Sequence, residues 1–228
     1  MWQELREELH PRGLEVVTVA LDLRGVETAG RWIEAASPRH PSLIDRAHVV
    51  DELLGVVNVP SGLWIDERGT IVRPAEPAFP GRPAFLGARP PADLDPYQAE
   101  VLREARRIRV EPERYVAALR AWVELGGESR FALAPDEVLR RSGERGRERS
   151  TAAAHFELAQ HLWLAGRRDE AVPHFRQARR LQPDNWTYKR QAWVLANRYQ
   201  APSDLFEGDW LSDVRAIGAE RYYPPLDM

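Results

Sequence analysis

Hydrophobic and polar positions change period several times along the chain. At the start, Trp2-Gln3-Glu4-Leu5-Arg6-Glu7-Glu8-Leu9 has the spacing of an amphipathic helix, and His10-Pro11-Arg12-Gly13 stops it. Residues 14–22 (LEVVTVALD) are rich in β-branched residues and almost all apolar, which suits a strand covered on both faces in a parallel α/β sheet. Helical spacing returns over 26–36 through Ala29, Trp32, Ile33 and Ala36, closed by Ser37-Pro38. A short extended piece at 41–45 follows, then a helix at 48–54 ended by Gly55. Two strands at 62–66 and 70–73 come next. Glu67-Arg68-Gly69 between them is a hairpin turn whose glycine is the position for positive φ.

The pattern then breaks. Prolines at 74, 77, 80, 83, 90, 91 and 96, with glycines at 81 and 87, predict a linker or long surface loop over 76–98. Beyond it the chain reads as helical over 99–200. Pro112 opens a helix whose apolar face is Tyr115, Val116, Leu119, Trp122 and Val123, and Gly126-Gly127 end it. Residues 140–150 (RRSGERGRERS) are charged and broken by glycine, so they are read as a solvated connection and not as an anion site. Residues 201–228 form an aromatic tail with Trp210 and Tyr222-Tyr223-Pro224-Pro225, which either docks back on the fold or stays exposed for recognition; docking is the preferred reading.

Composition removes several function classes. The 32 basic residues are dispersed among 35 acidic ones for a net charge of −3, so no electrostatic footprint for nucleic acid or a membrane surface is present. No apolar run approaches the roughly 20 residues of a membrane span, and no targeting segment opens the chain, so a cytoplasmic location is the default. Cysteine is absent, which excludes disulfides, thiolate nucleophiles and cysteine-ligated metals. His155, His161 and His174 share one region, but no two lie four apart on one helix face, so no metal site is expected; no cofactor is expected either. Asp22, Asp45 and Asp66 stand at strand ends, where α/β sites cluster, yet no base or nucleophile joins them, and they are read as local caps.

Residues 54–69 (LGVVNVPSGLWIDERG), preceded by GLEVVTVALD at 13–22, resemble in order the later part of a thioredoxin-like domain of the TlpA or AhpC/TSA redoxin type. The match covers about a third of the chain. The resemblance implies an α/β thioredoxin-like domain over 1–75 and a cis Val59–Pro60 bond, with Val59 and Pro60 lining the substrate site. In that family a strand and a Cys-x-x-Cys motif at a helix N-terminus precede the strand corresponding to 14–21. Neither is present here, so the expected domain is incomplete, lacking its first central strand, and the catalytic residues in this chain are none. Loss of a central strand exposes two rows of backbone donors and acceptors. Filling that gap takes another segment, a strand swapped from a second chain in a homodimer, or direct pairing of the remaining strands. One expectation is therefore that Met1 is an internal methionine and the reading frame begins upstream, with a cysteine or selenocysteine motif there.

Residues 152–185 carry Leu158, Ala159 and Leu162, then Gly166, then Ala171, Phe175, Ala178 and Pro183. These spacings resemble one 34-residue tetratricopeptide unit, two antiparallel helices brought close by small residues. His155 stands where that family has an early tryptophan. One repeat cannot bury its own face and must stack on neighbouring helices, so a structural hairpin is preferred over a peptide-binding groove. A helix from Trp186 follows as a cap. Two functions remain in competition: a thiol- or selenol-dependent disulfide or peroxide reductase, inactive without its upstream motif, and a non-enzymatic scaffold that binds a protein or peptide through its helical region.

Overall fold

The computed structural model describes residues 1–90 and 93–228; Pro91 and Ala92, part of the proline-rich stretch, lie outside the described residues. The elements in chain order are α1 (Trp2–Leu9), β1 (Thr18–Leu21), α2 (Val26–Ala36), β2 (Ser42–Asp45), α3 (Val49–Leu54), β3 (Ser61–Ile65) and β4 (Ile71–Pro77). The helices α4 (Ala84–Gly87), α5 (Pro96–Ala105), α6 (Pro112–Leu125), α7 (Pro135–Ser142), α8 (Arg147–Leu164), α9 (Arg168–Leu181), α10 (Trp186–Ala196) and α11 (Trp210–Ile217) complete it. The class is mixed α/β with a helical region. The chain forms two compact units that do not follow sequence order: Met1–Gly81 with Pro112–Arg145 and Leu226–Met228, and Arg82–Glu111 with Gly146–Pro225. The divisions expected at 75, 98 and 200 therefore differ from the observed ones, because α6 and α7 pack with the first unit.

The first unit holds two separate two-stranded sheets. β1 and β2 are parallel, with Thr18 opposite Ser42 through to Leu21 opposite Asp45, and the Thr18 and Ser42 hydroxyls lie 3.0 Å apart. β3 and β4 form an antiparallel hairpin with register shifts around Trp64. Its turn is tied by the Asp66 carboxylate, which accepts the N–H groups of Arg68 (3.0 Å) and Thr70 (2.8 Å), while Gly69 takes φ 81°.

Two strand expectations need correction. β1 is four residues long, not the run 14–22, and all four are partly exposed; Val17 beside it is 54% exposed. Its side chains are not fully covered on either face, and among the described residues β1 pairs with β2 alone. β4, conversely, continues to Pro77, past the expected end at 73 and into the expected linker. Pro74 and Pro77 are tolerated because β4 is an outer strand, with β3 as its one strand partner among the described residues. The linker expected over 76–98 also contains α4 and the start of α5.

Packing of the first unit centres on Trp64, 2% exposed, which stacks on Trp122 of α6 at 5.1 Å and donates its indole N–H to the Tyr115 hydroxyl at 3.1 Å. Leu5 and Leu9 from α1 and Val116, Ala118 and Leu119 from α6 close around it, so the apolar stripes of both helices turn inward as their spacing predicts. Leu226 and Met228 join this cluster. Buried Arg73 of β4 binds Glu76 with two hydrogen bonds of 2.5 and 2.9 Å and donates to the carbonyls of Phe131 (3.0 Å) and Asp227 (2.9 Å).

The second unit is helical. α8 and α9 are joined by a turn in which Gly166 has φ 78°, and their seam buries Ala152, Ala159, Ala171 and Ala178 completely, with Phe156 against Phe175 edge to face at 5.7 Å. α8 begins at Arg147, so the connection expected over 140–150 shrinks to the residues between Ser142 and Arg147; the charged side chains occupy the exposed first turn. The C-terminal aromatics dock: Tyr222, 5% exposed, meets Trp186 at 4.5 Å and receives the Trp210 indole N–H at 3.3 Å.

Candidate functional site

The residues singled out by sequence, Val59 and Pro60, lie between α3 and β3. Gly55, with φ 72°, ends α3, and the Val56 N–H bonds back to the Asp51 carbonyl at 2.8 Å. The following turn is built around buried Asn58. Its side-chain oxygen accepts the Val59 N–H at 2.8 Å, and its carbonyl accepts the Ser61 hydroxyl at 2.8 Å. The Val59–Pro60 peptide bond is cis. The Pro60 carbonyl accepts the Ala78 N–H at 3.3 Å, so this loop is anchored to the end of β4. Pro60 itself is exposed and Val59 half-buried, leaving the proline ring on the surface where β3 begins.

Among the described residues β1 pairs with β2 and β3 with β4, β1 and β3 do not pair with each other, and each of the four strands keeps one edge without a strand partner. Direct pairing of the remaining strands, one of the three ways of filling the gap, is thus not what the chain does. Several apolar side chains of this unit stand in solvent, among them Val17 at 54%, Leu43 at 53%, Val57 at 41% and Ile65 at 50% exposed.

The acidic residues at the strand ends are caps. Asp22 accepts the Arg24 N–H at 2.9 Å, and Asp45 accepts those of Ala47 (3.0 Å) and Val50 (2.7 Å), which starts α3. Sequence reasoning missed a buried pair at the head of α3: His48 Nδ1 lies 2.9 Å from an Asp51 carboxylate oxygen, both residues under 4% exposed, with His48 held at φ 55°. It also missed that His155 and His174 meet, their Nδ1 atoms 2.8 Å apart across the α8–α9 seam. Among the described residues no group of three or more His, Cys, Asp or Glu is arranged to hold a metal, and no helix is long and apolar enough to cross a membrane.

No family model matches this chain, and no curated protein or solved structure matches it either. The functional reading therefore rests on the residues and their geometry.

Proposed function

We propose that the first unit is the substrate-side part of a thioredoxin-like redoxin whose nucleophile-bearing strand and helix lie outside this chain, and that the helical unit, with its tetratricopeptide-like hairpin, positions the partner. The observation that carries this reading is the split sheet, a parallel pair β2–β1 and an antiparallel pair β3–β4 with one open edge on each of β1 and β3. A redoxin sheet has its central strand between the strands corresponding to these two. Unpaired strand edges are costly or aggregation-prone unless something covers them. The Asn58–Ser61 loop, with Pro60 exposed at the head of β3, supports the same reading, since it lies at the end of the sheet where the resemblance puts the incoming substrate chain. With no cysteine, this chain supplies no thiolate and is inactive alone.

The test is to read the coding sequence upstream of Met1, establish the mass of the protein in its source cells, and assay the natural chain for disulfide reduction with insulin. An in-frame strand followed by a Cys-x-x-Cys or selenocysteine motif, with turnover abolished by alkylation, is the expected result. A natural chain without such a segment, and without reductase activity, overturns it and leaves the protein-binding scaffold.

A further inference from the structure

The α8–α9 hairpin brings together two imidazoles that no function so far described uses. His155 and His174 face each other across the helix seam with Nδ1 atoms 2.8 Å apart. Their ring centres are 5.0 Å apart and the planes are inclined by 30°, so the rings meet nitrogen to nitrogen and not face on face. Among the described residues neither ring has another hydrogen-bond partner. Both are partly buried. The next residue on each helix, Phe156 and Phe175, forms the 5.7 Å edge-to-face contact, and four fully buried alanines hold the helices close. The backbone therefore presents the two rings as a fixed pair, which reduces the entropy lost when both bind one ligand.

We propose that His155 and His174 form an open, two-histidine site for a divalent transition-metal ion of the imidazole-preferring class, zinc, nickel or copper. Two neutral imidazoles meeting through Nδ1 need one proton between them, because one nitrogen donates and the other accepts. A metal replaces that shared proton as the common partner of both lone pairs. The donor ring's proton moves from Nδ1 to its own Nε2, both rings stay neutral, and no net proton is released. Two nitrogens bound at about 2.0–2.1 Å to one ion stand about 2.8–3.0 Å apart at octahedral angles and about 3.3–3.4 Å apart at tetrahedral ones. The observed 2.8 Å lies at the octahedral end of that range, and because the two nitrogens point at each other each ring must tilt to aim its lone pair at an ion beside the line joining them, a turn the broad His χ2 torsion permits. With no third protein ligand among the described residues, water or a partner group completes the shell, so binding is weak and exchangeable.

The hairpin places these residues opposite each other without the four-residue spacing that a one-helix site uses. Folding the two helical patterns about the Gly166 turn sets His155 against His174 just as it sets Phe156 against Phe175.

The test uses the full chain without an affinity tag. Copper(II) is the probe, because divalent first-row ions bind nitrogen sites most strongly there. Electron paramagnetic resonance should show hyperfine structure from two nitrogen donors at one copper per chain, displaced by excess zinc. His155→Gln and His174→Gln should each weaken binding by roughly tenfold or more, and His161→Gln should leave it unchanged. Circular dichroism checks that each variant folds. Should a variant misfold, zinc titration of the wild-type chain followed by imidazole NMR decides, with the His155 and His174 ring signals moving together. Absence of a two-nitrogen signal, wild-type affinity in the folded glutamine variants, or unmoved His155 and His174 signals overturns the proposal and leaves a hydrogen-bonded pair alone.

Discussion

Arg73 offers the sharpest test of how the first unit is held. It is 1% exposed, and its guanidinium is divided between the Glu76 carboxylate and the carbonyls of Phe131 and Asp227, with its carbon 5.4 Å from the Trp64 ring centre. Arg73→Met keeps most of the apolar stem and removes every donor. Glu76, whose side chain is 13% exposed, then keeps a charge without its cation. Breaking a buried pair from one side costs about 3–5 kcal/mol, and the residual solvation of Glu76 puts the expectation at the lower end, about 3 kcal/mol. At a urea dependence of about 2 kcal/mol per molar, the midpoint for this unit falls by about 1.5 M. Hydrogen exchange of the β3–β4 amides, read by mass spectrometry against urea, reports this unit separately from the helical one. Protection at residues 226–228 should fall with it, because Arg73 also holds the Asp227 carbonyl. Adding Glu76→Gln removes the stranded charge and should recover at least about 1 kcal/mol, although the two carbonyls still lack their donor. A single variant within about 0.5 kcal/mol of wild type, or a double variant no more stable than the single one, refutes this account of the pair.

Two further outcomes follow from the same core. Tyr115→Phe leaves the Trp64 indole N–H without its acceptor and should cost about 1–2 kcal/mol, read as a lower Tm. Burial, first, and the Glu76 charge push the Tyr115 phenol up to about 12, against the opposing hydrogen bond from Trp64. The stabilisation tied to the neutral phenol is thus complete below pH 10 and is lost as pH rises through about 12. Burial also raises Tyr97 and Tyr223, so the diagnostic quantity is the wild-type minus Tyr115→Phe difference, which should shrink over that window; a constant difference refutes it. Gly62→Ala sets a methyl 2.8 Å from both the Ala78 Cβ and the Tyr115 hydroxyl, and should lower stability by about 1–3 kcal/mol in a urea titration, with part of the loss recovered in the Tyr115→Phe background. Indifference of the site to the added methyl would contradict that close approach.

Local pattern was a good guide wherever an element is decided by its own residues. The helix over 26–36 has the bounds its spacing predicts, α6 opens at Pro112, and Gly55, Gly69 and Gly166 all take the positive φ that their turns demand. The α8–α9 hairpin follows from alanine and aromatic spacing together with the glycine between. The order of strands in the first unit was legible as well, because each is a short β-branched or aromatic run between turn signals.

Strand length and pairing were not legible in the same way. β1 is shorter than its apolar run because a strand extends only as far as a neighbour offers hydrogen bonds, and that neighbour, Ser42–Asp45, is short. β4 is longer than its run because an outer strand tolerates Pro74 and Pro77. The chain order suggested consecutive domains, yet α6 turns back to bury Trp64, a choice made by complementary apolar faces far apart in sequence. The meeting of His155 with His174, and of His48 with Asp51, likewise depends on where helices and caps bring side chains. By itself the sequence determined the helix over 26–36, the start of α6 at Pro112, the glycine turns and the absence of a thiol, all of which depend on neighbours within a few residues. Tertiary structure alone decided which edges stay open, which charges are buried and which histidines touch, because those depend on contacts between residues that the chain keeps apart.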